Sequence, residues 1–198
     1  MKANSLSLFA FSAMLAVSFS ACNNPSSQSG SESGDTSATE EPMATESAVK
    51  TAVANISPLG ENGISGTVTF TEENGEIKMV ADITSPGNGT HAIHIHENGD
   101  CSSEDGSSAG GHWNPTNEDH GKWGEAPFHR GDIGNIEVGE DGKGTLELTT
   151  DLWCLDCTDT TKNIVGHAII VHEMHDDFHS QPSGNAGGRK GCAVIEMQ

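Results

Sequence analysis

The chain has no tyrosine, and aromatic residues make up only 5% of its 198 positions. Cations are scarce too: 9 Lys and Arg stand against 29 Asp and Glu, a formal net charge of −20. That imbalance excludes a nucleic-acid-binding surface, because the phosphate backbone would be repelled. It also disfavours direct docking on anionic lipid headgroups. Long apolar runs are missing as well. The apolar or small stretch Leu6–Ala21 is sixteen residues, short of the about 20 that a membrane-spanning helix needs. No ten-residue stretch carries a 3.6-residue apolar stripe, so a helix-rich architecture is excluded. The length suits one domain of ordinary size with extras.

Lys2 followed by Leu6–Ala21 reads as the charged start and apolar core of a signal peptide. It closes on Phe19-Ser20-Ala21-Cys22, which resembles a bacterial lipobox with Phe in place of the usual Leu. A cleaved secretory peptide with an incidental Cys is the alternative. In residues 23–47, which are rich in Ser, Thr, Glu, Asn and Pro, Met43 is the only large apolar side chain. Such a segment cannot bury enough surface to offset its ordering entropy. The expected organisation is a lipoprotein signal peptide over 1–21, lipidated Cys22 and a disordered acidic spacer over 22–47, and a folded domain over 48–198. The expected location is the bacterial cell envelope, lipid-anchored and facing the periplasm or exterior.

Glycine is abundant, at 24 residues, and from Ser47 onward it punctuates short alternating runs. Val49, Val53 and Ile56 mark one. Ile64–Phe70 and Ile77–Ile83 flank Asn74-Gly75, a strong hairpin signal. His91–His96 alternates again. Ile133–Val138 and Gly144–Leu148 flank Glu140-Asp141-Gly142, an expected second hairpin, and Asn163–His172 and Cys192–Glu196 complete the set. About eight strands predict an all-β antiparallel sandwich or flattened barrel. Two stretches, 97–131 and 173–191, lack strand pattern. Loops of that length are functional or stapled.

Both loops are rich in metal-ligand residue types. His94 and His96, two apart on a strand, point to one face about 6.5–7 Å apart. His172 ends another apolar run and offers a third nitrogen. His112, His120, His129 and Asp132 form a complete tetrahedral N₃O set for zinc. Copper held by nitrogen favours four imidazoles, and the strands supply three. One loop histidine using both ring nitrogens would complete both sets, as an imidazolate between two cations.

The motifs His94-Ile-His96-Glu-Asn-Gly-Asp-Cys101, Gly111-His112-Trp-Asn-Pro115, His129-Arg-Gly-Asp132-Ile-Gly-Asn135, Val171-His172-Glu-Met-His-Asp176 and Gly184-Asn-Ala-Gly-Gly-Arg189-Lys-Gly-Cys192 occur in this order. Over 48–198 the chain resembles the copper/zinc superoxide dismutases of the bacterial envelope. The resemblance implies an eight-stranded Greek-key fold with two long functional loops. It implies dismutation of superoxide to O₂ and hydrogen peroxide by alternate reduction and oxidation of copper. The copper ligands would be His94, His96, His112 and His172, and the zinc ligands His112, His120, His129 and Asp132, with His112 bridging and taking part in catalysis. Asp176 would orient ligands of both metals, Arg189 would attract and position the anion, and His91 would be structural. Cys101 and Cys192 would form the family's disulfide. Cys154 and Cys157 add to the family pattern; a local disulfide is expected in an exported protein, with thiolate capture of copper(I) as the sharper alternative. The loop 173–188 holds no Lys or Arg, so Arg189 is expected to carry most of the local attraction. Trp113, Trp123 and Trp153 are expected in packing, and Met174, His175 and His179 on the surface. A copper/zinc-binding or copper-delivery lipoprotein without turnover is the second reading, and a homodimer and a copper donor partner are left open.

Overall fold

A computed structural model describes residues 48–198; the expected signal peptide, Cys22 and the spacer to residue 47 lie outside them. The strands are β1 (Lys50–Pro58), β2 (Ser65–Glu73), β3 (Glu76–Thr84), β4 (Gly89–His96), β5 (Gly134–Val138), β6 (Lys143–Thr150), β7 (Ala168–His172), β8 (Arg189–Val194) and the two-residue β9 (Glu196–Met197). They run in the order β5-β4-β7-β8-β1-β2-β3-β6, with β9 beside β1. Every strand-to-strand ladder is antiparallel. β1 joins the two halves: most of it pairs with β2, and only Ser57 and Pro58 reach β8. The chain crosses between halves from β3 to β4, from β5 to β6, from β6 to β7 and from β8 to β9, which makes the flattened Greek-key barrel.

Local chemistry explains most of these elements. In β3, Ile77, Met79, Ala81 and Ile83 alternate inward with Lys78 and Asp82 outward, the period-two pattern of a half-buried strand. Asn74 and Gly75 both take positive φ, 53° and 83°, as the tight primed turn between β2 and β3 requires. The core fills the barrel with Phe70, Ile93, Ile95, Ile136, Trp153, Leu155 and Ile169, all at most 1% exposed. Phe70 meets Trp153 edge-on at 6.2 Å between ring centroids.

Two expectations are corrected. Residues 139–142 make a tight turn, Gly139 N–H to Lys143 O at 2.9 Å, yet β5 and β6 do not pair as a hairpin. β5 pairs with β4 and β6 with β3, so the turn steps between the two sheets. The strand expected over Asn163–His172 starts only at Ala168. Asn163 bends the chain instead: its Oδ1 accepts the N–H groups of Asp156 and Val165, and Gly166 turns at φ 86°. His167 therefore precedes the strand, and its ring stacks on Trp113 with centroids 4.8 Å apart.

Candidate metal centre

The site lies outside the barrel. In β4 the odd residues Ile93 and Ile95 enter the core, so His94 and His96 take the opposite face. β7 is paired so that His94 lies opposite Ile170 and His96 opposite Ala168, which puts His172 on the same outer face. A bulge follows: Val171 pairs with Gly191, but His172 pairs with Arg189. The extra residue on β8 brings Arg189, not Lys190, opposite the histidine, the usual effect of a bulge in re-aiming a side chain.

The long loop is laid against the end of β4 by main-chain bonds. Trp113 N–H donates to Ile95 O at 2.8 Å, Ile95 N–H to Gly131 O at 2.9 Å, and Gly131 N–H to Trp113 O at 3.0 Å. A side chain at Gly131 would collide with Ile95 O, so glycine is what permits this three-way approach. His112, which adjoins Trp113, is thereby set beside His96, and Asp132, which adjoins Gly131, beside His112.

Two four-residue groups result, His94, His96, His112 and His172, and His112, His120, His129 and Asp132. Within each, one ligand atom per residue lies within 4.8 Å of the others. In the second group, Nδ1 of His112, His120 and His129 stand 2.8, 3.0 and 3.2 Å from Asp132 Oδ1. Those spacings suit the edges of a tetrahedron with bonds near 2.0–2.1 Å. His120 Nδ1 and His129 Nδ1 nevertheless have no aligned hydrogen-bond partner, and neither does His94 Nδ1 or His112 Nε2, all buried. His96 Nε2 and His172 Nε2 meet at 3.4 Å. Buried ring nitrogens that converge without aligned hydrogen bonds call for an explanation such as a bound ion, and an all-imidazole set beside an N₃O set suits copper and zinc.

The family model of copper/zinc superoxide dismutase matches residues 64–195. The chain belongs to the copper/zinc superoxide dismutase family. A solved structure with the same fold is the crystal structure of the clock protein EA4, 34% identical, with a TM-score of 0.66; the match covers 75% of this chain and 94% of that one.

In this family member a carboxylate ties the two groups together. Asp176 Oδ2 accepts His94 Nε2 and Oδ1 accepts His120 Nε2, both at 2.9 Å. Asp132 Oδ2 accepts the N–H groups of His129 and Gly121. Burial pushes both carboxyls up, but the imidazole hydrogen bonds outweigh it and hold them well below the usual range. Burial drives His112 down to about 4, His172 to about 2, and His96 further still. His120 goes the other way, to about 9, because Asp132 and Asp176 overcome its burial. His96, His112 and His172 are thus held in the neutral form that binds metal, while a metal at His120 must displace its proton.

A pH prediction follows for chelator-stripped protein. Below pH 6.5 the unfolded chain protonates His96, His112 and His172 while the fold keeps them neutral. The unfolded state binds more protons, so stability rises with pH here and is lost as the pH is lowered below 6.5, by up to roughly 1.4 kcal/mol per pH unit per histidine. His120, raised, adds stability that is complete below 6.5 and lost towards 9. Urea titrations at pH 7, 6 and 5 should show the fall; a flat profile would mean that these rings are not held neutral.

Arg189 donates to Gly106 O and, at 2.6 Å, to Gly110 O, which seats its guanidinium on the loop leading to His112. Burial lowers its pKa and nearby Asp105 opposes this. Disulfides join Cys101 to Cys192 and Cys154 to Cys157. His91 Nδ1 donates to the carbonyl of His172 at 2.9 Å, a structural bond as expected. Trp113 and Trp153 pack in the core cluster with Trp123 against it, and Met174, His175 and His179 are exposed.

Sequence reasoning missed three supports. Asn135 Oδ1 accepts Asp176 N–H at 2.7 Å and its Nδ2 donates to Asp176 O at 3.0 Å. Gln181 makes the same two-way bond with the backbone of His120, at 2.9 Å for each half. Glu97 Oε1 accepts Gly111 N–H at 3.0 Å, beside His112. The Asn135 and Gln181 bonds join segments 41 and 61 positions apart, and the Glu97 bond spans 14, so no local pattern announces them.

Proposed function

We propose that the chain dismutates superoxide: two superoxide anions and two protons give O₂ and hydrogen peroxide. The reading is carried by His112, which stands in both ligand groups with Nδ1 on Asp132 and Nε2 buried without a partner. Copper in the all-histidine group would supply the one-electron couple, and zinc, which has none, would fix the loop. His94, His96, His112 and His172 would hold the first, and His112, His120, His129 and Asp132 the second.

The chain's own residues do the rest. Arg189 offers a fixed positive charge beside His96 and His172, where a small anion can be drawn in and oriented. His112 can hold a proton at Nε2 and pass it to reduced dioxygen, with Asp132 keeping Nδ1 in place. Asp176 keeps the rings of His94 and His120 from turning. Because the overall charge is strongly negative, attraction must come from Arg189's local field. Export through the signal peptide and anchoring at Cys22 are part of the proposal, supported by the sequence Phe19-Ser20-Ala21-Cys22 and the polar spacer to residue 47.

The test is superoxide decay measured with purified protein carrying copper and zinc, beside the same protein stripped by chelator. Metal-dependent decay far above buffer is expected. Stoichiometric metal without faster decay would replace the enzyme with a metal-binding or delivery lipoprotein.

A further inference from the structure

We infer that Gln181 is a positioning residue that locks His120 and so sets how slowly zinc leaves; this rests on the zinc assignment above. His120 sits in a loop with no strand ladder of its own, so its backbone needs partners from elsewhere. Gln181 supplies both. Its Oε1 accepts His120 N–H and its Nε2 donates to His120 O, each at 2.9 Å. A carboxamide is suited to this, since it carries a donor and an acceptor side by side. Asn would fall short by a methylene.

The same loop also holds the ring. Asp176 Oδ1 accepts His120 Nε2 at 2.9 Å, and Gly184, at φ 65°, packs so closely that a Cβ there would strike both Asp176 Oδ1 and His120 Nε2. Residues 176–184 therefore grip His120 at three atoms: backbone N, backbone O and ring Nε2. Metal release begins when one ligand swings away. A swing that carries the His120 backbone away from the site must break the Gln181 pair, which lies outside the ligand set and touches no ligand ring. Groups bonded directly to a ligating ring, as Asp176 is to His120 Nε2, are worth about 10–100-fold in metal affinity; a pair on the ligand's backbone belongs at the low end of that range. Gln181 is itself exposed, so its removal leaves the core intact.

The experiment compares wild type, Gln181→Met and Gln181→Glu in the copper- and zinc-loaded full chain. Zinc release to excess chromophoric chelator is followed, together with the visible spectrum of cobalt(II) placed in the zinc site. Gln181→Met should release zinc about 10-fold faster and change the cobalt spectrum. Gln181→Glu should fall between, because it keeps the acceptor for His120 N–H but sets an oxygen against His120 O. The melting temperature of the stripped proteins should fall by only a few degrees, the modest cost of losing two hydrogen bonds to the His120 backbone, and by too little to account for the change in zinc release. Release at the wild-type rate, or faster release matched by equal destabilisation of the stripped protein, overturns the inference while leaving the zinc site standing. A wild type that binds no zinc overturns the zinc assignment and this inference with it.

Discussion

His112→Ala should lose both metals and drop superoxide decay to background, a loss of at least roughly 10³-fold from the metal and the proton donor together. The reason is placement. His112 is the one residue common to both ligand groups, and it joins them through opposite nitrogens of one ring. His172→Ala gives the contrast. It should lose copper and activity but keep zinc, because His172 belongs only to the all-histidine group. Metal content after dialysis and superoxide decay by pulse radiolysis check both variants. Two metals retained at full stoichiometry in His112→Ala would sink the bridging role.

Replacing Cys101 and Cys192 together by Ser should destabilise the domain by about 4–5 kcal/mol. The bridge closes a loop across 91 positions, and loop length sets the entropy it removes from the unfolded chain. For a domain of this size the melting temperature should fall by roughly 10–20 °C. The same change should weaken activity through Arg189. Gly106 and Gly110, whose carbonyls seat the guanidinium, lie on the loop that Cys101 ties to β8. Cys154 and Cys157 are separated by only 3 positions, so their replacement should cost far less. Calorimetry on both double variants decides the matter, and equal losses would refute the loop-length account.

Much of this was legible in the sequence. His94 and His96 announce themselves because a strand's period of two puts them on one face, and the ring centroids indeed lie 6.5 Å apart. The turn at Asn74-Gly75 is legible because only such residues accept positive φ cheaply. The pattern starts a strand at Asn163 because the apolar content at 163–167 resembles one, whereas β7 starts at Ala168: the side-chain bonds of Asn163 that bend the chain leave no periodic trace. The turn at 139–142 resembles a hairpin in sequence because turn chemistry is local. Which strands its two arms pair with is decided by the barrel.

By itself, then, the sequence determined an all-β domain, the ligand types and their order along the chain. These depend on residue chemistry and short-range periodicity, which survive without a fold. Only the tertiary structure decided that the histidines gather outside the barrel beneath two loops. It also decided that a bulge turns Arg189 rather than Lys190 towards them, and that Asn135 and Gln181 hold the backbones of Asp176 and His120. Those are contacts between segments tens of residues apart, and what makes them is the packing of loops on a closed sheet, which no stretch of sequence carries alone.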